Sequence, residues 1–239
     1  RRLAENYEVC GVDRVEWDGA PRGIRVHAVD LRKKKFEDVI RSELPSGIVH
    51  MGFVRHFRSD AGMRHDVNVR GTKQLLDHCV NHGVQKLVLL SSSYVYGAFP
   101  ENPYFMDEDQ PLSGSRSYPE IRDLVEVDTL ASAFLWRYPH IRTCVLRPVN
   151  VLGHYVRSMI AGYLRLERPP TVMGFDPLMQ FIHEQDVVEA IAVALEHGLQ
   201  GVFNVVGPGQ VPLHTAIRET GGRALALPEF LMRPLIRTL

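Results

Sequence analysis

The chain has 239 residues, 45% of them hydrophobic, and its 28 basic side chains balance its 28 acidic ones. That length and composition suit one large domain, or one and a half smaller ones, around a substantial buried core. A net charge of zero provides no general attraction to nucleic acid or to an anionic membrane surface. No apolar stretch approaches the ~20 residues that a membrane-spanning helix needs.

The three cysteines, Cys10, Cys79 and Cys144, are odd in number and widely spaced. Cys10 and Cys144 lie in apolar runs, which favours buried free thiols over a disulfide framework. The sequence shows no signal peptide and therefore predicts a cytoplasmic protein. It begins at Arg1 in what reads as the tail of a helix and ends inside an apolar segment, so we expect a fragment with both ends missing.

Short apolar runs alternate with amphipathic segments over the first 150 residues. Buried strands are predicted at 7–12, 24–29, 47–51, 87–90 and 143–146, and helices at 35–43, 66–82 and from 118 towards 137. This alternation indicates an α/β fold with a parallel sheet covered on both faces, and ligands then bind at the carboxyl ends of the strands. After Gly153 the pattern becomes irregular, which is typical of a smaller lid.

A serine-rich loop and a tyrosine–arginine pair follow the strand at 87–90. Ser117 and Glu120 have the spacing of a capping box, which predicts that Tyr118 lies in the first turn of a helix. Arg122 would then lie one turn away on the same helix face. A serine hydroxyl, a phenol and a permanent positive charge together suit proton transfer to or from an alcohol or carbonyl.

Five short motifs occur in order along the chain: Asn68–Thr72, Ser91–Gly97, Leu146–Gly153, Gln180–Val187 and Phe203–Gly207. On these motifs the chain resembles the extended short-chain dehydrogenase/reductase family, in the NAD-dependent epimerase/dehydratase group that includes UDP-glucose 4-epimerase. The resemblance implies a Rossmann-like doubly wound parallel sheet with a small C-terminal substrate-binding lid. Residues 1–153 would bind the dinucleotide and 154–239 would mostly form the lid, with 180–206 returning in part to the sheet.

The resemblance also implies a set of site residues. Ser92 and Tyr118 match the catalytic serine and tyrosine, and Arg122 occupies the position of the family's lysine. Asp13 matches the acidic residue that holds the adenosine ribose, which favours NAD, while the adjacent Arg14 leaves NADP open. The remaining implied positions for the cofactor are Asp30, Leu31, Met51, Gly52, Asn68 and Pro148, and those for the substrate are Ser93, Tyr94, Asn150 and Gln180.

The activity implied is an NAD-dependent epimerase or reductase that acts on a hydroxyl or ketone of a sugar-like, nucleotide-linked substrate. Ser93 and Tyr94 stand where dehydratases of the family carry Asp-Glu, which argues against 4,6-dehydration. Arg122, which stands in place of the family's lysine, keeps the positive charge but cannot relay a proton. A non-catalytic NAD(P)-binding regulator and a structural subunit therefore remain as alternatives.

The resemblance further implies that the family's glycine-rich phosphate loop precedes Arg1 in the parent protein. A homodimer through the helices beginning near Asp66 and Tyr118 is implied, although core packing alone also explains their apolar faces. No metal site is expected, because His183 reads as an interior strand residue and Asp186 as a helix N-cap. The acidic cluster Asp107–Asp109 reads as a solvated loop.

Overall fold

The computed structural model of the chain describes residues 2–17, 19–53, 60–116 and 118–232, and the Glu120 side chain is not among the groups described. These residues fall into two compact units. The first draws on the chain up to Arg147 and on Val188–Asn204, and the second on Pro148–Val187 and the residues from Val205 onward. Every helix in the described ranges is too short or too polar to cross a bilayer.

The first unit is built on parallel strands connected by helices. Strands β1 (Cys10–Asp13) and β2 (Arg25–Ala28) pair in parallel. Four more strands form a second sheet: β3 (Gly47–His50), β4 (Lys86–Leu90), β5 (Arg142–Pro148) and β10 (Gly201–Val205). Their order is β10–β5–β4–β3, in which β3 pairs with β4 and β4 with β5 in parallel register.

The helices that precede β5 in this unit are α1 (Lys34–Glu43), α2 (Ala61–His65), α3 (Gly71–Asn81) and α4 (Arg122–Arg137). Apolar side chains of α1, α3 and α4 join β4 in one buried cluster, which includes Phe36, Leu76, Leu87 and Phe134. Val88, between Leu87 and Leu89, is also buried, so both faces of β4 are covered. The predicted strands and the covered parallel sheet are confirmed.

The predicted helix over residues 66–82 is longer and less regular than expected. It starts at Ala61, where Asp60 accepts a hydrogen bond from Met63 N and caps the helix. Residues Asp66–Arg70 form a π-helical turn between α2 and α3. Apolar periodicity could not reveal this turn, because one i→i+5 turn hardly changes which side chains face the core.

The prediction that Tyr118 lies in the first helical turn is wrong. Tyr118 has an extended backbone (φ −131°, ψ 93°) and precedes a 3₁₀ turn at Pro119–Ile121, and α4 begins only at Arg122. The cause is Pro119, since a proline ring clashes with a preceding residue in the α conformation. Ser117, half of the predicted capping box, lies outside the described residues.

The second unit contains short strands and helices. Its strands are β6 (Asn150–Leu152), β7 (Pro170–Val172), β8 (Leu178–Met179), β9 (Phe181–His183), β11 (Val211–Pro212) and β12 (Leu225–Leu227). The pairs β6–β9 and β7–β12 are parallel, and β8–β11 is antiparallel. Helices α5 (Met159–Leu164) and α7 (Leu213–Glu219) pack through Leu164, Ala216 and Ile217.

Helix α6 (Glu184–His197) begins in the second unit and continues into the first. Asp186 is therefore inside its first turn, where a negative charge is favourable, and it is not the predicted N-cap. His183 is exposed at the end of β9, so the expectation of an interior histidine is also wrong. Its Nδ1 accepts a hydrogen bond from the Gln185 amide, at 3.3 Å.

Candidate active site

The serine-rich loop after β4 places Ser91 and Ser92 in different environments. Ser91 is fully buried, and its hydroxyl donates to Asp128 Oδ2 at 2.6 Å. Ser92 is half-buried and starts a 3₁₀ turn at Ser93–Tyr96, whose Tyr94 amide donates to the Ser92 Oγ at 3.3 Å. Since that hydroxyl is already an acceptor, its hydrogen is available to an oxygen of a bound molecule.

Tyr118 presents its phenol ring to solvent, with 57% of the residue exposed. Its extended backbone is fixed by the hydrogen bond from its amide to Gly114 O, at 3.2 Å. Its carbonyl oxygen accepts from the Ile121 amide, at 3.0 Å, which joins it to the 3₁₀ turn before α4. The backbone of Tyr118 is thus held firmly while its side chain is open to a ligand.

A close backbone approach at Gly114 joins the Tyr118 segment to the serine loop. A β-carbon on Gly114 would lie 2.4 Å from Tyr94 O and 3.0 Å from Val95 O, so only glycine fits. Gly97, with φ +77°, ends the 3₁₀ turn that starts after Ser92 and lies against Gly114. The loop that follows β4 and the segment that carries Tyr118 are therefore packed directly on each other.

Arg122 is exposed at the first position of α4. Among the described side chains it has no hydrogen-bond or ion-pair partner. The adjacent Asp123 is buried instead, and its carboxylate accepts from Arg64 Nε at 3.2 Å and lies 3.3 Å from His65 Nδ1. The guanidinium of Arg122 is therefore available to a ligand without breaking a resident ion pair.

A buried charged network connects α4 and β5 to the start of the serine-rich loop. The fully buried Asp128 of α4 binds Arg147 of β5 through two hydrogen bonds, at 2.9 and 2.7 Å. Arg147 also donates to the Tyr96 hydroxyl at 2.8 Å, and that hydroxyl donates to Asn204 Oδ1 at 2.7 Å. Burial raises the pKa of Tyr96. Tyr96 is therefore part of this buried network.

Sequence reasoning missed Asp128, although it lies in a helix otherwise rich in apolar residues. A carboxylate in that setting indicates a buried partner, since an unpaired buried charge is costly. It also missed Glu108, which is not a solvated loop residue: its Oε1 accepts from the Asn204 amide at 2.6 Å, and its carbonyl oxygen accepts from Arg147. The network thus ties α4, β5 and β10 to the loop after β4.

The predicted cofactor residues at β1 and β2 follow the carboxyl ends of these parallel strands. Asp13 is exposed at the end of β1, and one carboxylate oxygen accepts from the Val15 amide at 3.1 Å. The other oxygen has no partner among the described residues, so the group can accept from a ribose diol. Asp30, after β2, is bound by Arg32 at 2.6 Å, and this guanidinium lowers the pKa of the Asp30 carboxyl to about 2.

The other predicted cofactor positions differ in accessibility. Arg14, Met51 and Gly52 are exposed, and Leu31 is half-buried. Asn68 is buried in the π-helical turn, where its carbonyl oxygen accepts from the Thr72 hydroxyl, and Pro148 is buried at the end of β5. An exposed carboxylate after β1 and exposed backbone after β3 fit a dinucleotide at this edge of the unit.

Of the predicted substrate residues, Ser93 and Tyr94 belong to the loop of the first unit, and Tyr94 is exposed. Asn150 and Gln180 belong to the second unit, where Asn150 starts β6 and Gln180 directly precedes β9. There Asn150 Nδ2 donates to the Gln180 carbonyl oxygen at 3.0 Å, so these two residues are neighbours.

A parallel α/β unit with polar side chains after its strands defines a Rossmann-like fold, in which ligands bind at the carboxyl ends of the strands. The family model for the NAD-dependent epimerase/dehydratase family matches residues 1–206. The chain belongs to this family, within the extended short-chain dehydrogenases/reductases. The predicted fold class and the resemblance are thereby confirmed.

Curated relatives and solved structures agree with this assignment. The uncharacterised Mycobacterium tuberculosis protein Rv0501 is 30% identical over 204 residues, which cover 84% of this chain and 54% of that protein. The chain thus spans about half the length of such relatives. UDP-glucose 4-epimerase of Mus musculus is 42% identical over 83 residues, covering 30% of this chain and 23% of the mouse protein.

Two solved structures share the fold. The UDP-glucose 4-epimerase of Thermus thermophilus, in complex with NAD, has a TM-score of 0.79 at 24% identity, and the match covers 95% of this chain and 80% of that one. The dTDP-glucose 4,6-dehydratase of Bacillus anthracis, also with NAD, has a TM-score of 0.76 at 20% identity, covering 99% and 84% of the two chains.

Proposed function

We propose that the chain is part of an NAD-dependent epimerase- or reductase-type oxidoreductase that acts on a hydroxyl or ketone of a sugar-like substrate. The observation that carries this proposal is the Gly114 contact, which packs the Ser92 loop against the segment bearing Tyr118. This contact joins the loop that carries the Ser92 hydroxyl to the segment that carries the exposed Tyr118 phenol. Family membership supplies the class of reaction.

Tyr118 would exchange a proton with the substrate hydroxyl through its phenol oxygen. The Ser92 hydroxyl, already an acceptor of the Tyr94 amide, would donate to the same substrate oxygen and orient it. Arg122 would stabilise negative charge on the phenol and hydrogen-bond the cofactor ribose, but it stays protonated above pH ~12 and cannot relay a proton. NAD, when bound, supplies a hydride acceptor at the reacting carbon.

NAD would be held by residues after β1, β2 and β3. Asp13 would accept from the adenosine ribose diol through its free carboxylate oxygen, which favours NAD over NADP. Arg14 is exposed beside it and would tolerate a 2′-phosphate, so NADP is a second candidate. Leu31, Met51 and Gly52 would line the cofactor, while the buried Asn68 and Pro148 would support it through backbone position.

A nucleotide-linked sugar is the proposed substrate class. Several relatives and solved neighbours are enzymes whose names specify such sugars, including the rice UDP-glucose 4-epimerase 2, 33% identical over 147 residues. Ser93 and Tyr94 are the proposed sugar contacts of the first unit, and Asn150 and Gln180 are those proposed for the second unit. Met179 stands where related epimerases carry a diphosphate-binding arginine, so another side chain would have to bind the diphosphate.

A non-catalytic NAD(P)-binding regulator is the second candidate, and the Arg122 position favours it. An arginine replaces the proton-relaying lysine, and Tyr118 lies outside the helix that carries Arg122. In such a protein the same residues would bind dinucleotide without turnover. A homodimer through α3 and α4 is part of either proposal, and sedimentation equilibrium would report it as twice the 27.1 kDa chain mass.

The test is turnover of a nucleotide-sugar panel with NAD, measured for the chain in its full-length protein and for Tyr118→Phe, Arg122→Lys and Arg122→Ala. In an enzyme adapted to arginine, Tyr118→Phe should lower turnover by about 10²- to 10⁴-fold, and Arg122→Lys should not raise it. A large gain from Arg122→Lys indicates decayed chemistry. NAD binding without turnover by any variant would overturn the catalytic proposal in favour of the regulator.

A further inference from the structure

Three potential metal ligands meet where α1 lies beside α3. Glu37 of α1, His78 of α3 and His82 at the end of α3 have ligand atoms that all lie within 4.8 Å of one another. His82 Nε2 is 3.9 Å from Glu37 Oε1, and the two imidazole centroids are 5.9 Å apart. Donor atoms around a tetrahedral zinc ion are about 3.4 Å apart, so small side-chain movements would suffice.

The two helices hold these side chains in a fixed relation. Phe36 and Ile40 of α1 and Leu75 and Cys79 of α3 belong to one buried core cluster. His82 caps α3, and its amide donates to the His78 carbonyl oxygen at 3.0 Å. Residues four apart on a helix lie on one face, so both imidazoles point to the same side.

A second, independent observation points to a missing partner at this place. His78 Nδ1 and Gln74 Oε1 are both buried, and neither has a hydrogen-bond partner in the described part of the chain. Gln74, His78 and His82 follow each other at four-residue intervals. A cavity of about 220 Å³ is lined by Glu37, Gln74 and His78. Buried polar atoms of this kind ordinarily have a partner.

From this geometry we infer a divalent transition-metal site, suited to Zn²⁺, formed by Glu37, His78 and His82. Two imidazoles and one carboxylate are a normal zinc ligand set, which leaves the fourth position to a water. Gln74 lines the same cavity, and its Oε1 would accept a hydrogen bond from that water, as partners around metal ligands commonly do. The ion would join α1 to α3.

Positive side chains also surround Glu37. Arg41 donates to Glu37 Oε1 at 2.9 Å, and Lys33 and Lys34 line the same cavity. Glu37 Oε2 has no partner within the described ranges and can bind a metal while Oε1 keeps Arg41.

A second cluster, Cys10, His27 and Glu43, also brings potential ligands together. It is the weaker candidate, because His27 Nε2 already lies 3.0 Å from Glu43 Oε1 and Arg25 binds the other oxygen at 2.8 Å. Burial raises the pKa of the Cys10 thiol, which opposes the thiolate that a metal would need. This cluster serves as an internal comparison.

The test titrates the EDTA-treated chain with Zn²⁺ by calorimetry and with Co²⁺ by absorption spectroscopy. One ion per chain is expected, with cobalt bands of a four-coordinate nitrogen and oxygen site and no thiolate charge-transfer band. His82→Gln and Glu37→Gln should each weaken Zn²⁺ binding by more than about tenfold, since even outer partners of ligands contribute about 10- to 100-fold. His82 is preferred to His78, which packs on Phe36.

The matched control is His197→Gln, which removes an exposed histidine of α6 outside both clusters. Its binding should equal that of the unmodified chain, and circular dichroism of each variant verifies folding. The inference is overturned if no stoichiometric Zn²⁺ binding occurs or if His82→Gln binds as well as His197→Gln. A cobalt thiolate band that disappears with Cys10→Ser would move the site to the other cluster and equally overturn it.

Discussion

At the scale of single residues, the pair Asp128–Arg147 is the most consequential buried interaction of the first unit. The Asp128 side chain is 0% exposed and that of Arg147 4% exposed. Both charged groups are removed from water in the folded protein, so each needs the opposite charge of the other to offset its loss of hydration. The same carboxylate holds Ser91, the residue before the proposed Ser92, so the pair also sets where the serine loop begins.

We expect Asp128→Asn to destabilise the protein by about 3–5 kcal/mol, because it leaves the buried guanidinium without its counter-charge. The free energy of unfolding in urea measures this change. Glu101→Gln is the matched control, since Glu101 only meets Arg116 at 3.8 Å on the surface. That control should change stability by less than about 0.5 kcal/mol. Equal effects of the two substitutions would contradict the importance of the buried pair.

At the scale of elements, the arrangement depends on how the loop after β4 meets the start of α4. Pro119 keeps Tyr118 extended, and Gly114 allows the backbone of the Tyr118 segment to touch the Ser93–Tyr96 turn. Neither feature is an element in itself. Together they pack the loop after β4 against the segment that carries Tyr118.

Gly114→Ala should therefore destabilise the protein by about 1–3 kcal/mol, since the added carbon would overlap the backbone oxygens of Tyr94 and Val95. If Ser92 and Tyr118 act together, turnover should fall by about 10²-fold, the effect of a 1 Å misplacement. Urea unfolding and steady-state kinetics measure the two effects.

Gly162→Ala provides the opposite expectation for the same chemical change. Gly162 lies in α5 with nothing within 4 Å of an added β-carbon, so alanine should stabilise the helix by about 0.5–1 kcal/mol. A Gly114→Ala protein as stable and as active as Gly162→Ala would show that the close approach has no bearing on the site.

At the scale of the whole molecule, equal numbers of acidic and basic groups leave little net self-repulsion near neutral pH. The acid sensitivity of the fold then depends on individual buried groups. His50 is the clearest of them, because burial lowers the pKa of His50 to about 4, and its Nε2 lies 2.9 Å from the Thr72 hydroxyl. Burial also lowers the pKa of His78, which acts in the same direction.

Stability should fall as the pH falls from about 6.5 towards 4. In that window the unfolded chain binds a proton at His50 and the folded chain does not, so protons favour unfolding. The contribution of His50 amounts to about 3 kcal/mol. His50→Gln should flatten the dependence of unfolding free energy on pH, whereas the exposed His140→Gln should leave it unchanged. An unaltered slope in His50→Gln would refute the assignment.

Much of this architecture follows from the sequence alone. Apolar runs and amphipathic segments predicted β3, β4, α1 and the end of α4 within a few residues, because burial requires those patterns whatever the rest of the chain does. The ordered motifs predicted the family. The three serines, by contrast, were indistinguishable by residue type, and only the fold separates the buried Ser91 from the accessible Ser92.

What the sequence determined is local periodicity, the family motifs and the residue types at the strand ends, since these depend on neighbours along the chain. What only the tertiary structure decided is which polar groups share an environment. Asp128 and Arg147 are 19 positions apart, and Glu37 and His82 belong to different helices. These side chains meet because helices and strands packed on one core bring residues that are far apart in the sequence within a few ångströms of each other. Apolar periodicity along the chain does not encode such distances.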